Sequence, residues 1–125
     1  MAAAKLIVAA DAEALARAAA ERVMARIFAN PGRIAICLTG GSSPKKLYQL
    51  LGSDAWRGKI PWERVHWFIG DERFVPESDP LNNMAVARAT FLDRYAAPSH
   101  VHPIPTATGT PEESAEAYAR ELQAF

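Results

Sequence analysis

The sequence predicts an α/β protein, in which a parallel sheet carries helices on both faces in the three-layer arrangement of Rossmann-like folds. Three observations support this prediction. Apolar strand-like runs alternate with helical segments in the order βαβαβα. The segment RIAICLT at 33–39 contains a continuous apolar run, which is typical of a strand covered on both faces. The glycine-rich turn TGGSS at 39–43 then joins this strand to a helix.

Composition narrows the class of protein. The 125 residues suffice for one domain, and 50% of them are hydrophobic, which argues against disorder. Lys and Arg together number 14, as do Asp and Glu, so no basic excess is available to bind a nucleic acid. No apolar run approaches the ~20 residues of a membrane-spanning helix. We therefore expect a cytoplasmic protein with no nucleic-acid or membrane partner, in which the single cysteine, Cys37, is buried in a strand.

The first half of the chain predicts two strands and two helices. KLIVA at 5–9 indicates a strand, and Asp11 is placed to cap the helix that follows. This helix ends at the Asn-Pro-Gly sequence of residues 30–32, before the strand at 33–39. Ser43 as N-cap and Pro44 as first helical residue predict the second helix. The apolar stripe of the first helix consists of Leu15, Ala19, Val23 and Ile27.

The second half predicts one more buried strand and two more helices. Residues 53–61 indicate a loop, VHWFI at 65–69 a strand, and residues 83–95 a helix. The proline-rich residues 98–109 predict a loop or a short edge strand, and TPEE at 110–113 is a capping box that opens a last helix. Because an open parallel sheet ending here leaves a strand edge unpaired, we expect the chain to be a fragment of a longer protein.

The glycine-rich turn is a candidate anion site, because α/β proteins bind ligands at the carboxyl ends of their strands. The glycines permit close backbone approach, and N–H groups that open a helix attract an anion. The candidate residues are Gly40, Gly41, Ser42 and Ser43. Neither a Walker loop nor a GxGxxG fingerprint is present, so one phosphate monoester fits better than a nucleotide. The alternative interpretation is a tight turn with a capping serine.

Asp71, Glu72 and Arg73 follow the strand at 65–69 and form a second candidate site. A carboxylate there could transfer a proton, and the guanidinium could bind a phosphate or a developing oxyanion. The alternative is a solvated group of charges. We expect His66 to be a packed side chain, and His100 and His102 to bind no metal, because no cysteine or acidic cluster lies near them. Since no GxSxG or HExxH motif occurs, any hydrolysis would use an activated water.

The segments TGGSSPKKLYQLL and FIGDERFVPESDPLNNMAVAR, in this order, resemble the 6-phosphogluconolactonases. These enzymes share a superfamily with the glucosamine-6-phosphate deaminases, so the resemblance implies a NagB/RpiA-like fold. It implies that residues 1–125 are the N-terminal part of a single sugar-phosphate-binding α/β domain. It also implies that Asp71 and Arg73 are catalytic, and that Arg73 and Asn83 join the glycine-rich turn in binding a sugar phosphate. Arg73 after Asp-Glu favours a lactonase over a deaminase. Asn82 and Asp79 depart from the serine and histidine that the family often carries there.

The implied reaction is hydrolysis of 6-phosphoglucono-δ-lactone to 6-phosphogluconate in the pentose phosphate pathway, by a monomer without metal or organic cofactor. The resemblance places the histidine that activates water in a Gly-x-Asp-Gly-His segment, which we expect beyond residue 125. One alternative is a glucosamine-6-phosphate deaminase and isomerase in which Asp71 abstracts the proton. Another is a module that senses sugar phosphates without turning them over.

Overall fold

The computed structural model describes residues 2–125 and contains a three-stranded parallel sheet with helices on both faces. The strands are β1 (Ile34–Leu38), β2 (Val65–Ile69) and β3 (Val101–His102), in the spatial order β1-β2-β3. The helices are α1 (Ala12–Ala29), α2 (Lys45–Leu51), α3 (Asp54–Arg57), α4 (Asn83–Ala87), α5 (Asp93–Tyr95) and α6 (Pro111–Ala124). This architecture confirms the predicted α/β class.

One face of the sheet carries the larger core. Side chains alternate between the two faces of a strand, so Ile36 of β1 lies beside its register partner Trp67 of β2 on this face. The Phe91 ring meets Trp67 edge-on, with 5.2 Å between ring centroids, and stacks on Tyr48 of α2 at 5.3 Å. Helix α1 packs against α2 in the same layer and contributes Ile27 to the core.

Among residues 2–125, the opposite face is covered by the single helix α6, and only over β2 and β3. Tyr118 of α6 lies edge-on to Phe68 of β2, and the His102 ring of β3 stacks flat on Phe68 with 4.3 Å between centroids. On this face of β1, Ala35 and Cys37 are exposed. The prediction of a strand covered on both faces, and of a buried Cys37, is therefore wrong for the described residues, because no helix among them extends over β1.

The predicted strand at 5–9 is also not formed. Residues 2–9 are neither helix nor strand, and Leu6 and Val8 are 86% and 82% exposed. An apolar segment forms a strand only when a neighbouring strand accepts and donates its hydrogen bonds. Within residues 2–125, the three strands pair only with one another, and the outer edge of β1 forms no pairing with this segment.

The predicted helices form, with differences at their ends and faces. The Asp11 carboxylate accepts from the Ala14 N–H at 2.8 Å and caps α1 as expected. The α1 stripe differs from the prediction: Leu15 is 54% exposed, whereas Ala16 is buried. Helix α2 begins one residue late, with Pro44 at the N-cap, so the Ser43 side chain does not cap it. Residues 53–61 contain the short helix α3 in place of a plain loop.

The C-terminal half matches the prediction more closely. The chain is helical from Asn83 to Tyr95, although a π-helical turn at Arg88–Leu92 separates α4 from α5. β3 is the short edge strand expected in the proline-rich region. The Thr110 hydroxyl accepts from the Glu113 N–H at 3.2 Å, so the predicted N-cap of α6 is present.

Candidate functional site

The register of the sheet places the glycine-rich turn beside the acidic loop. Leu38, the last residue of β1, is paired with Ile69, the last residue of β2. The Gly70 N–H donates to the Leu38 carbonyl at 2.9 Å and extends the pairing one residue further. Thr39 and Asp71 therefore leave the sheet from the same edge. The expectation that the two motifs share the carboxyl ends of neighbouring strands agrees with this geometry.

The glycine-rich turn presents main-chain N–H groups that the fold does not use. Gly41 has φ +82°, in the left-handed region that glycine adopts without strain. Among residues 2–125, no carbonyl or side chain accepts a hydrogen bond from the N–H groups of residues 40–43. The Ser42 and Ser43 side chains are exposed beside them. The turn can thus offer several donors to one small anion.

Tyr48 fixes the start of this turn. Its hydroxyl accepts from the Thr39 N–H at 3.0 Å and donates to the Thr39 carbonyl at 2.5 Å. The ring is 3% exposed, and burial raises the pKa of the phenol above its ordinary value. A neutral hydroxyl with both partners satisfied anchors Thr39 to α2. The spacing of apolar residues in α2 predicts that Tyr48 is buried, but it gives no signal for the role of the hydroxyl.

Asn83 joins the two loops physically. Its side chain packs against the Cα of Gly40, so closely that a Cβ at residue 40 would collide with the amide. The Asn83 Nδ2 also donates to the Asp71 carbonyl at 3.2 Å. A single buried side chain therefore touches the glycine-rich turn on one side and the acidic loop on the other. The preceding residue, Asn82, caps α4 by accepting from the Ala85 N–H at 2.9 Å.

The three charged residues after β2 have different surroundings. Asp71 and Arg73 are exposed, and the one hydrogen bond of the Arg73 guanidinium within residues 2–125 is a long contact of 3.4 Å to the Leu81 carbonyl. The Glu72 carboxylate is instead half-buried and accepts from three main-chain N–H groups, those of Arg73, Asn83 and Met84. Asp71 and Arg73 are thus available to a ligand, whereas both carboxylate oxygens of Glu72 are hydrogen-bonded to the main chain.

A cleft opens beside Asp71, where β3 diverges from β2. Pro103 has no N–H to continue the pairing after His102. The Tyr118 hydroxyl bridges the two strands at this point, accepting from the Ile69 N–H at 2.9 Å and donating to the His102 carbonyl at 2.7 Å. Burial, the largest cause, raises the pKa of Tyr118 to about 12, so this bridge stays neutral. Further lining residues of the cleft include Glu72, Phe74, Ile104, Thr106 and Leu122.

The three histidines form a cluster on the α6 side of the sheet. His66 Nδ1 and His102 Nε2 are hydrogen-bonded at 2.9 Å, and His102 Nδ1 contacts a Glu121 carboxylate oxygen at 2.5 Å. The His100 ring stacks on His66 with 4.1 Å between centroids. Burial lowers the pKa of His66, and the nearby His100, His102 and Arg33 lower it further. Within residues 2–125, no three His, Cys, Asp or Glu side chains are arranged to hold a metal ion.

The structure therefore brings the predicted residues together at one sheet edge. Gly40, Asn83 and Asp71 are in contact, with Gly41, Ser42, Ser43 and Arg73 on the exposed side. What each residue binds remains a prediction. The His66 cluster lies on the face beneath α6, and its imidazoles are engaged with one another and with Glu121. No helix within residues 2–125 is long and apolar enough to cross a membrane.

Comparison with protein families and with individual sequences identifies relatives. Residues 10–125 match the family model described as glucosamine-6-phosphate isomerases/6-phosphogluconolactonase. A 6-phosphogluconolactonase of Synechocystis sp. is 41% identical over 101 residues, which cover 80% of this chain and 40% of the relative. A 6-phosphogluconolactonase of Streptomyces coelicolor is 36% identical over 126 residues, which cover 94% of this chain and 48% of the relative. The chain thus spans about half the length of these relatives.

Solved structures agree with the sequence comparisons. The 6-phosphogluconolactonase from Trypanosoma brucei superposes with a TM-score of 0.83 at 27% identity, over 95% of this chain and 49% of that one. A monomeric glucosamine-6-phosphate deaminase superposes with a TM-score of 0.79 over 91% of this chain and 48% of that one. The deaminase is only 17% identical, so it shows a shared fold and nothing more.

Proposed function

Since the chain belongs to the glucosamine-6-phosphate isomerase/6-phosphogluconolactonase family, we propose that it forms the sugar-phosphate-binding part of an enzyme that hydrolyses 6-phosphoglucono-δ-lactone to 6-phosphogluconate. Residues 1–125 would constitute the N-terminal part of one α/β domain. The relatives at 36–41% identity are named 6-phosphogluconolactonases, whereas the deaminase resembles the chain at 17%. Arg73 after Asp-Glu favours the same assignment.

The observation that carries this proposal is the meeting of two loops at one sheet edge. Uncommitted main-chain N–H groups at residues 40–43 lie next to the loop that bears Asp71 and Arg73, with Asn83 between them. The turn would hold the phosphate, since a dianion is stabilised by several converging N–H donors. The charged side chains would then lie towards the sugar. Binding energy from the remote phosphate would orient the lactone for reaction.

The chemistry needs a water molecule, a base and a stabiliser of negative charge. The base removes a proton as the water oxygen adds to the lactone carbonyl carbon, and the carbonyl oxygen becomes an oxyanion. The bond between this carbon and the ring oxygen then breaks, and the ring oxygen receives a proton. We assign Arg73 to the phosphate or the oxyanion, the two negative charges that a guanidinium in this loop would meet. Asp71 would orient the water or the base.

The base that activates water would come from outside these 125 residues. His66 lies near the start of β2, and His102 is held between His66 and Glu121 on the face beneath α6. Within residues 2–125, neither imidazole forms a hydrogen bond with the glycine-rich turn or with Asp71. We therefore propose that another histidine supplies this function, as the family resemblance implies. No step of this reaction calls for a metal or an organic cofactor.

Turnover of two substrates tests the proposal. The protein expressed at its full natural length is assayed with 6-phosphoglucono-δ-lactone, against the spontaneous rate of hydrolysis, and with glucosamine 6-phosphate. We expect rapid hydrolysis of the lactone and no release of ammonia from the amino sugar. Ammonia release without lactone hydrolysis would establish the deaminase instead. Binding of 6-phosphogluconate without turnover of either compound would identify a sensing module.

A further inference from the structure

We propose that Glu72 is a positioning residue, which holds the loop of Asp71 and Arg73 at a fixed distance from the glycine-rich turn. This inference rests on the proposed function, because the readout is the reaction proposed above. Glu72 itself would not touch the substrate. It would act through Asn83, whose main chain it binds and whose side chain reaches the turn.

The contacts of Glu72 connect two segments that are distant in sequence. One carboxylate oxygen accepts from the Arg73 N–H at 2.9 Å and from the Asn83 N–H at 2.6 Å. The other accepts from the Met84 N–H at 3.0 Å. Arg73 belongs to the loop after β2, whereas Asn83 and Met84 open α4. One side chain thus ties the candidate catalytic loop to the beginning of a helix eleven residues further along.

Asn83 extends this link to the glycine-rich turn. With its main chain held by Glu72, the Asn83 side chain packs on Gly40 and donates to the Asp71 carbonyl at 3.2 Å. Glu72, Asn83, Gly40 and Asp71 therefore form a continuous path between the two halves of the site. Displacing Asn83 would change the separation of the phosphate-binding N–H groups from Asp71 and Arg73. Misplacement by about 1 Å can cost a large factor in rate, because reacting groups must be aligned.

The chemistry of the contacts requires a carboxylate. All three partners of Glu72 are N–H donors, and an ionised carboxylate is purely an acceptor. The negative charge also faces the positive end of α4. A glutamine has the same shape, but its NH₂ group would face at least one of the three donors. Glu72→Gln therefore breaks the arrangement with the least change in volume.

A pure capping role for Glu72 is the competing explanation, and a double-mutant cycle separates the two. Using the full-length protein, kcat/KM for the lactone is measured for wild type, Glu72→Gln, Asn83→Ala and the double variant, well below each melting temperature. We expect Glu72→Gln to lower kcat/KM about tenfold in the wild type but less than about threefold in the Asn83→Ala background. Equal factors in both backgrounds, or an unchanged kcat/KM, would overturn the proposal.

Thr110→Ala provides the matched control, because Thr110 caps α6 through a single N–H and lies outside the candidate site. It should lower the melting temperature and leave kcat/KM within about twofold. If Glu72→Gln does not fold, Asn83→Ala still tests the proposal, because it keeps the Glu72 bonds but deletes the link to Gly40. A kcat/KM that falls by less than about fivefold in this variant would overturn the proposal.

The wild-type rate reports separately on the proposed function. If the wild type does not hydrolyse the lactone, the proposed function fails, and the same four proteins are compared by their dissociation constants for 6-phosphogluconate. Coupling between residues 72 and 83 in that constant would uphold the positioning role. Additive effects there would reject it.

Discussion

Residue 40 must be glycine because there is no room for a side chain. This steric reason is stronger than the need for a flexible residue in a turn. The Asn83 amide occupies the space in which a Cβ would lie. Since Asn83 is buried and also bonded to the Asp71 carbonyl, it has no free direction in which to retreat. The close contact between loop and helix is therefore available to glycine alone.

Gly40→Ala should separate the two loops. We expect a loss of about 1 to 3 kcal/mol in the free energy of unfolding, because overpacking forces neighbours to shift. In the full-length protein, lactone hydrolysis should fall as well. The matched control is Gly58→Ala: Gly58 has φ −75°, and no atom lies within 4 Å of an added Cβ. Denaturant unfolding that gives the same midpoint for both variants would contradict the packing argument.

Arg73 should contribute directly to catalysis or binding. It is exposed and has no charged partner among the contacts of the described residues, so Arg73→Ala is expected to leave folding intact. In the full-length protein, kcat/KM for the lactone should fall by about tenfold or more, equivalent to at least ~1.4 kcal/mol. Arg94→Ala, at another exposed arginine, should change nothing. An unaltered kcat/KM in Arg73→Ala would remove Arg73 from the site.

Candidate site residues could be predicted from the sequence where the signal lies in the residues next to them. The glycine-rich turn, Asp71 and Arg73 are recognisable because each follows a strand, whereas Asn83 was selected through the family resemblance. The structure gathers all of them at one edge. The functions of Tyr48 and Glu72 were not recognisable, because their partners lie nine to twelve residues away. Such contacts depend on the path of the chain between the elements, which local patterns do not encode.

At the scale of elements, two buried tyrosines hold the carboxyl ends of the strands from opposite faces. Tyr48 bonds to both main-chain groups of Thr39 after β1, and Tyr118 joins Ile69 of β2 to His102 of β3. In both cases a hydroxyl, which donates and accepts at once, satisfies one N–H and one carbonyl. The strands can therefore diverge at this edge without leaving these four main-chain groups unpaired.

Tyr118→Phe should destabilise the sheet where β3 leaves it. The change removes two hydrogen bonds and leaves the buried Ile69 N–H without an acceptor, at a cost of roughly 1 to 3 kcal/mol. Tyr95→Phe is the control, because the Tyr95 hydroxyl accepts from the exposed Arg57 side chain and nothing buried depends on it. Urea unfolding compares the two. A loss in Tyr118→Phe no larger than that in Tyr95→Phe would refute the role of the bridge.

Helices were predicted better than strands, for a physical reason. The N-caps Asp11 and Thr110 bond within three residues of themselves, so their signals are complete in the local sequence. A strand is stable only beside another strand, and apolar content does not supply that partner. KLIVA at 5–9 has the composition of a strand but no strand beside it among the described residues. The burial of Cys37 was mispredicted for the same reason, since it depends on what covers β1.

For the whole molecule, the histidine cluster links the sheet to α6. His66 of β2 and His102 of β3 are hydrogen-bonded, and His102 contacts Glu121 in the last turns of α6. His66 is also stacked on His100, and it lies close to Arg33, which precedes β1, and to Phe125, which follows α6. A proton on His66 would therefore place a positive charge near the Arg33 guanidinium and two other imidazoles. These groups and the partial burial of the ring disfavour the protonated form.

The contribution of His66 to stability should consequently decrease as the pH falls below neutrality. Burial, His100, His102 and Arg33 hold the pKa of His66 below its ordinary value of 6.5, so the unfolded chain binds this proton more readily than the folded one. Stability then rises with pH across this range: the contribution is fully present above about pH 6.5 and is lost as the pH falls towards the folded pKa. Melting temperatures between pH 8 and pH 5 measure this dependence. His66→Gln, which cannot be protonated, should flatten the decline, whereas an equally steep decline in the variant would assign the effect to other groups.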